Sequence, residues 1–299
     1  MSVAVDAARE VRLLTSITFH YVSARLQYFR AVVADQPSLA GRVTVHVFTN
    51  THDPGELREI EASMPPRSDT FDYRVISAPP QAHPFFLTWV HKQSLRVDFA
   101  QNSGFTHFLY IEDDIQVKSP NVAYWLEARE VLRPFGLIPG FLRVERRSSD
   151  GCWVSSDLRE AVPLWRTPAL RLSQERWYLN LRYPYQAMYL FDRELALEHL
   201  AGPAMNPEFG RWNIRERAAQ GQTFVDVPRG FKTRNVVPFD PRALRIEPSC
   251  HVHHLPNNYG IQPFFGHGTV TLDRVVARPA LGRVYARLRP ALARGGAER

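Results

Sequence analysis

Two cysteines, Cys152 and Cys250, are all that this chain of 299 residues contains. They are too few for a disulfide framework and suit a reducing compartment. Cys250 also lacks the second Cys or His pair that zinc-finger spacing needs. No stretch reaches the ~18 consecutive apolar residues of a membrane-spanning helix. The opening MSVAVDAAREVRLLTSITF mixes acidic and basic residues before its first apolar run. It lacks the basic, apolar and small-residue sections of a signal peptide, and the expected location is the cytoplasm. Also missing are a Walker-type phosphate loop, a G-x-G-x-x-G after the first strand and a serine nucleophile elbow. Those absences argue against kinase, ATPase, dinucleotide and serine-hydrolase chemistry. Aromatic and basic residues do not interleave in a compact recognition motif, so no nucleic-acid partner is expected. Internal repeats and low-complexity segments are absent as well.

What is present is a globular composition, with 44% hydrophobic and 22% charged residues. Lys and Arg number 37 against 30 Asp and Glu, a net charge of +7 that favours anionic partners. The first half alternates strand and helix patterns. Strands are predicted at 11–19, 42–50, 71–77 and 105–111, and helices at 23–35 (capped by Ser23), about 54–63, 85–101 and 119–132 (capped by Ser119). This alternation predicts an α/β fold with a mostly parallel central sheet flanked by helices. The second half predicts strands at 140–146, 185–191 and 223–228, with helices at 192–200 and 212–221.

One stretch stands out. FLYIEDDIQV (108–117) is an apolar strand that ends in three adjacent carboxylates, Glu112, Asp113 and Asp114. Adjacent negative charges repel, and desolvating them is costly without a positive partner. Strand ends are where open α/β sheets bind ligands. A cation and a plain exposed turn are both consistent with these residues alone.

The order of features around that strand resembles GT-A-fold glycosyltransferases, such as exostosin-type and other small members. Those enzymes use a nucleotide-diphosphate sugar, and they place an acidic motif at the end of a buried strand. The resemblance spans about residues 11–268 and is specific at 108–114, 206–228 and 250–260. It implies a GT-A-like, Rossmann-type domain over residues 1–270, with nucleotide binding in about 11–118 and acceptor binding in about 119–270. It implies Mg²⁺ or Mn²⁺ held by Glu112 and Asp114, with Asp113 beside the donor. NPEFGRWNIRERAAQGQTFVDVP (206–228) fits the family's order of an acidic residue, a short helix and a strand. Glu208 then falls near the catalytic acid, where it would deprotonate the acceptor hydroxyl. The family commonly has an acidic pair there, and Glu208 stands alone. Glu216, between Arg215 and Arg217, reads as a surface ion-pair residue.

The resemblance also bears on CHVHHLPNNYG (250–260), because GT-A enzymes often add a histidine ligand from this region. In an extended segment His251 and His253 project to one side and His254 to the other, so the first two are the expected metal ligands. The loop FFGHGTV (264–270) places His267 where the family closes over its donor. Thr18, His20 and Tyr21 at the end of the first strand, and Thr49 and Asn50 at the end of the second, are donor-pocket candidates. Helical spacing sets Trp89, Lys92 and Arg96 near one face, with Lys92 or Arg96 toward the diphosphate.

The function implied is metal-dependent transfer of a sugar to a hydroxyl on a glycan, lipid-linked or small acceptor. Two alternatives stay open. One is a metal-dependent hydrolase built on His251 and His253 with the three carboxylates. The other is a non-catalytic basic binding module. The segment 271–299 reads as a basic amphipathic tail. Leu281, Val284, Tyr285, Leu288 and Leu292 share one helical face and Arg283 and Arg287 the other, with Pro290 limiting the helix. Such a face would meet either an anionic membrane surface or the domain itself.

Overall fold

The computed structural model describes residues 8–102 and 104–277. Strands β1 (Arg12–Phe19), β2 (Arg42–Thr49), β3 (Phe71–Ser77) and β4 (His107–Glu112) run parallel to one another. Strands β1 and β4 are buried along almost their whole length because they are covered on both faces. Between them lie helices α1 (Leu26–Ala34) and α2 (Pro54–Ala62). Helix α2 starts where the Asp53 side chain accepts hydrogen bonds from the amides of Gly55 (2.7 Å) and Glu56 (2.9 Å).

Past β4 come β5 (Ile115–Gln116), helix α3 (Ser119–Leu132), β6 (Ile138–Pro139), β7 (Leu142–Arg146) and β8 (Trp153–Ser155). Then follow β9 (Ala169–Arg171), β10 (Trp177–Leu179), β11 (Met188–Asp192), helix α4 (Arg193–Ala201) and the short helix α5 (Ile214–Ala218). Strands β12 (Asn235–Asp240), β13 (Arg245–Ile246) and β14 (His251–His254) follow. The described residues form a mixed α/β fold with three sheets. The main sheet has the order β11-β4-β1-β2-β3, with β11 antiparallel to β4. A second sheet runs β13-β12-β10-β9 with β6 beside β12, and a third runs β5-β14-β7-β8.

The main sheet has a consequence for binding. From β1 the chain moves outward through β2 and β3, then returns to place β4 on the other side of β1. The carboxyl ends of β1 and β4 therefore flank a point where the winding reverses, and crevices form at such points. Thr18 of β1 pairs in register with Glu112 of β4, so the turns after both strands overhang the same space.

Several expected elements differ in detail. The helix expected from residue 23 opens as a tight 3-10 turn, Ser23–Arg25, and Ser23 makes no capping bond. Lys118, not Ser119, takes the cap position of α3, and the Asn121 side chain accepts from its amide (2.8 Å). The continuous helix expected at 85–101 is instead a 3-10 segment Pro84–Trp89, an α-turn His91–Ser94 and a π-turn Leu95–Phe99. That change of winding breaks the predicted face: Lys92 is buried and Arg96 is exposed. No strand forms at 223–228, where Asp226 has φ 46°, a left-handed conformation that a strand does not accommodate. The segment expected as a tail from residue 271 begins inside the fold, with Val275 and Val276 buried and Val276 bridging Val162. The amphipathic stretch 281–292 lies outside the described residues. Among the described residues, no helix is long and apolar enough to cross a membrane.

Candidate active site

At the reversal point lies a cleft of about 1230 Å³. Thr18, His20 and Arg25 line it from the β1 end, and Glu112, Asp113 and Asp114 from the β4 end. The carboxylates do have a positive partner, and it is a guanidinium. Arg25 donates from Nε and Nη2 to both oxygens of Asp113 (3.0 and 2.9 Å) and from Nη2 to Asp114 Oδ2 (2.9 Å). The 3-10 turn after β1 delivers Arg25 to this point. Glu112 accepts from the Tyr185 hydroxyl at 3.0 Å.

A histidine completes the cluster, and it is His254. Strand β14 pairs with β5, which sets His254 opposite Ile115, one residue past Asp114. The backbone confirms this seating, since the Leu255 amide donates to the Asp114 carbonyl (2.9 Å). His254 Nε2 lies 3.5 Å from Asp114 Oδ2. Its Nδ1 meets the buried carboxylate of Glu145 from β7 at 2.5 Å, and the other Glu145 oxygen accepts from the Gly260 amide at 2.7 Å. Glu145 thus holds the imidazole by Nδ1 and aims Nε2 at Asp114.

The charges follow from these contacts. Burial raises the Asp114 carboxyl, but His254 and Arg25 together overcome it and hold Asp114 well below its ordinary value. Burial, then the neighbouring Asp114 charge, pushes Asp113 up to about 8 against the pull of Arg25. Burial also lowers His254, yet its bonds to Asp114 and Glu145 leave it raised. Glu112 is raised by burial and by Asp114. The site is therefore an ionised Asp114 between the Arg25 guanidinium and the His254 imidazole.

On the metal ligands the histidine assignment needs correction. His251 and His253 project away from the carboxylates, as alternate residues of a strand must when His254 projects toward them. His253 bonds Asn257 (3.0 Å) and packs edge-on against Trp153 (4.9 Å). His251 lies half-buried away from the cleft, and burial lowers it to about 4. With the histidines divided between two faces, the hydrolase centre expected from His251 and His253 does not assemble. Cys250 is a buried thiol, pushed up by burial and donating to the Glu247 carbonyl.

Whether a divalent cation fits is a question of donors. Among the described residues no group of three or more His, Cys, Asp or Glu is arranged to hold a metal ion. Asp114 Oδ1, however, is buried with no hydrogen-bond partner among them. A hard cation that shares its sphere with phosphate oxygens and water needs only one or two protein ligands. The unpartnered Asp114 oxygen and the oriented Nε2 of His254 meet that need.

Other predicted residues divide. Asp113 lines the cleft, as do Thr18, whose hydroxyl bonds Tyr110 (3.1 Å), and His20. His267 lines it too, anchored to the Ser156 carbonyl (2.9 Å) and to Arg159 (3.0 Å). Gly268 next to it has φ 72° and lies so close to Tyr259 that a Cβ would meet its carbonyl oxygen at 2.1 Å. Tyr21 and Asn50 are not in the cleft. The Asn50 side chain accepts from the Tyr21 amide (2.7 Å), and the Tyr21 hydroxyl donates to Glu59 (2.8 Å). They tie the strand ends to α2. Thr49 is buried. Arg96 is exposed away from the cleft. Lys92 does not reach any diphosphate site: its Nζ lies 2.6 Å from His199 Nε2 within the core.

Glu208 also stands apart. Its side chain is 81% exposed, 3.7 Å from Arg217, and it does not line the cleft. Glu216, read from sequence as a surface residue, does line it. Glu216 Oε2 is buried without a partner among the described residues, while Oε1 accepts from Arg215 at 3.3 Å. Helix α5 is held at this wall because Trp89 Nε1 donates to the Ile214 carbonyl (2.8 Å). Sequence reasoning also missed Arg25 and Glu145. Only the need of three carboxylates for a cation signalled Arg25, and nothing local signalled Glu145. No protein-family model matches the chain and no curated protein matches it, so the functional reading rests on these residues and their geometry.

Proposed function

We propose that the chain is a glycosyltransferase with a GT-A-like fold, moving a sugar from a nucleotide-diphosphate donor to a hydroxyl of a glycan or lipid-linked acceptor. One observation carries the reading: an unpartnered, buried Asp114 oxygen beside an oriented His254, at the reversal point of a parallel sheet and inside a cleft large enough for a nucleotide sugar. Asp114 and His254 would hold Mg²⁺ or Mn²⁺. Such an ion, when bound, neutralises charge on the leaving diphosphate. The donor would lie along Thr18, His20 and Arg25.

Glu216 takes the base role that Glu208 is too far from the cleft to play. Its unpartnered oxygen would accept the acceptor hydroxyl's proton as the new C–O bond forms at the anomeric carbon. The bond from that carbon to the diphosphate oxygen breaks in the same displacement, with the diphosphate leaving on the opposite face. Arg215 positions the other Glu216 oxygen.

Thermal denaturation with a panel of nucleoside diphosphates, with and without Mn²⁺, tests the reading. Stabilisation should need both components together. Stabilisation by metal alone, or by neither, refutes donor binding. For the base, Glu216→Gln should lower turnover by roughly 10²–10⁴ with donor binding unchanged.

A further inference from the structure

With the donor placed on the β1 side, the opposite wall of the cleft remains to be explained. A ladder of aromatic contacts starts at the carboxylates. Tyr185 donates to Glu112 (3.0 Å), Trp212 meets Tyr185 edge-on at 5.0 Å, and Phe224 meets Trp212 at 5.0 Å. The Arg211 guanidinium ends the ladder, 5.1 Å over the Phe224 ring. Trp212 and Phe224 are half-buried and line the cleft, as does the exposed Lys232. Neither Arg211 nor Lys232 forms an ion pair with a carboxylate among the described residues.

The charge balance of the cleft points the same way. Eight Lys and Arg side chains line it against five Asp and Glu; Arg182 and Arg217 pair with Glu160 and Glu208 outside the lining, which leaves Arg159, Arg211 and Lys232 without a carboxylate partner among the described residues. A diphosphate ester that enters with a divalent cation brings no net charge, so the positive excess is left for another ligand. Exposed side chains of one sign in a concave wall concentrate ligands of the other sign. Flat apolar rings beside them suit the C–H faces of a sugar ring.

We propose that the acceptor is an acidic sugar, with its ring against Trp212 and Phe224 and its anionic group on Arg211 and Lys232. The assignment rests on the sugar-transfer reading. The anion is a carboxylate or a phosphate ester. Either would accept charge-assisted hydrogen bonds from a guanidinium and an ammonium.

Calorimetric titration of the full chain, in the presence of Mg²⁺ and uridine or guanosine diphosphate, tests this with three probes: methyl glucuronide, methyl glucoside and methyl glucoside 6-phosphate. At least one acidic probe should bind tenfold or more tightly than the neutral glucoside, and the stronger of the two acids identifies the anion. The double variant Arg211→Gln/Lys232→Gln should bring that probe within about twofold of the glucoside. Nucleoside diphosphate affinity should stay unchanged, which also reports that the variant is folded. Equal affinity for all three probes in a protein that binds a nucleoside diphosphate overturns the acidic acceptor and spares the transferase. An acid preference that survives the double variant overturns the assignment to Arg211 and Lys232. Failure of every nucleoside diphosphate to bind overturns the transferase reading, and the acceptor assignment with it.

Discussion

Two clusters of buried ionisable groups sit on either side of Tyr110, and they solve the same problem differently. On the cleft side Asp113 and Asp114 stay near neutral as a group because Arg25 and His254 pair with them. On the core side Lys92, His91 and His199 are all cationic groups, with no carboxylate bonded to any of them among the described residues. Their solution is to give up charge. Burial lowers all three well below their ordinary values. A single chain of hydrogen bonds then satisfies the neutral forms. His91 Nδ1 donates to the Thr88 carbonyl (2.6 Å), and the Tyr189 hydroxyl donates to His91 Nε2 (2.7 Å). Lys92 donates to Tyr189 (3.4 Å) and to His199 Nε2 (2.6 Å), and His199 Nδ1 donates to Gln222 (3.4 Å). The Tyr110 ring stacks on His91 at 3.7 Å while its hydroxyl bonds Thr18 in the cleft. The paired cluster keeps charge where a ligand can use it. The neutral cluster removes charge where no ligand reaches.

The largest expected effect tests the paired side. Asp114→Asn keeps the shape but removes the ionised oxygen, and turnover should fall by on the order of 10³ with the metal-dependent shift in melting lost. Full activity in this variant after metal is restored would show that the cluster is structural.

A smaller effect is expected one contact further out. Glu145→Gln loosens the hold on His254 Nδ1 without touching the cleft. Loss of such an orienting carboxylate typically costs ~10–100-fold in metal affinity. Titration of Mn²⁺ by electron paramagnetic resonance measures it, and an unchanged Kd would separate His254 from the metal.

The neutral cluster gives a pH signature. The folded Lys92 value lies below its unfolded value, so between the two the unfolded chain binds the extra proton. Stability contributed by this group is therefore lowest in acid and rises with pH through that window, by up to ~1.4 kcal/mol per pH unit. Lys92→Met should flatten the stability profile on the acid side of the ordinary lysine value, read by urea denaturation of both proteins. Comparing the two cancels the opposite slope from Asp113, whose raised value makes stability fall as pH rises toward about 8. Parallel profiles would mean Lys92 is charged in the core.

The smallest effect is at the rim. Glu208→Gln removes only an exposed pairing with Arg217, a contact worth ~0–1 kcal/mol, and activity should change by less than about twofold. A large loss there would return the base role to Glu208 and displace Glu216.

Local pattern determined a good deal of this protein. The β1 and β4 runs were readable as buried strands, and β2 and β3 by the alternation of their residues. Asp53 and Asp192 marked helix starts because a short side chain can bond the free amides of its own first turn. The acidic end of β4 announced a site because three adjacent carboxylates cannot be desolvated without a partner. Which partner they have is a different kind of fact. Arg25 reaches Asp113 from 88 residues away because β1 and β4 are neighbours, and strand order is not written in local periodicity. His254 was distinguishable from His251 and His253 only as lying on the other side of a strand. The pairing of β14 with β5 decided which side faces Asp114. Lys92 and Glu216 exchanged their expected places for a similar reason. The broken winding, from 3-10 to α to π, set one in the core, and the docking of α5 on Trp89 turned the other into the cleft. Residue chemistry and short-range spacing set which groups need a partner. Long-range packing alone set which partner each one found.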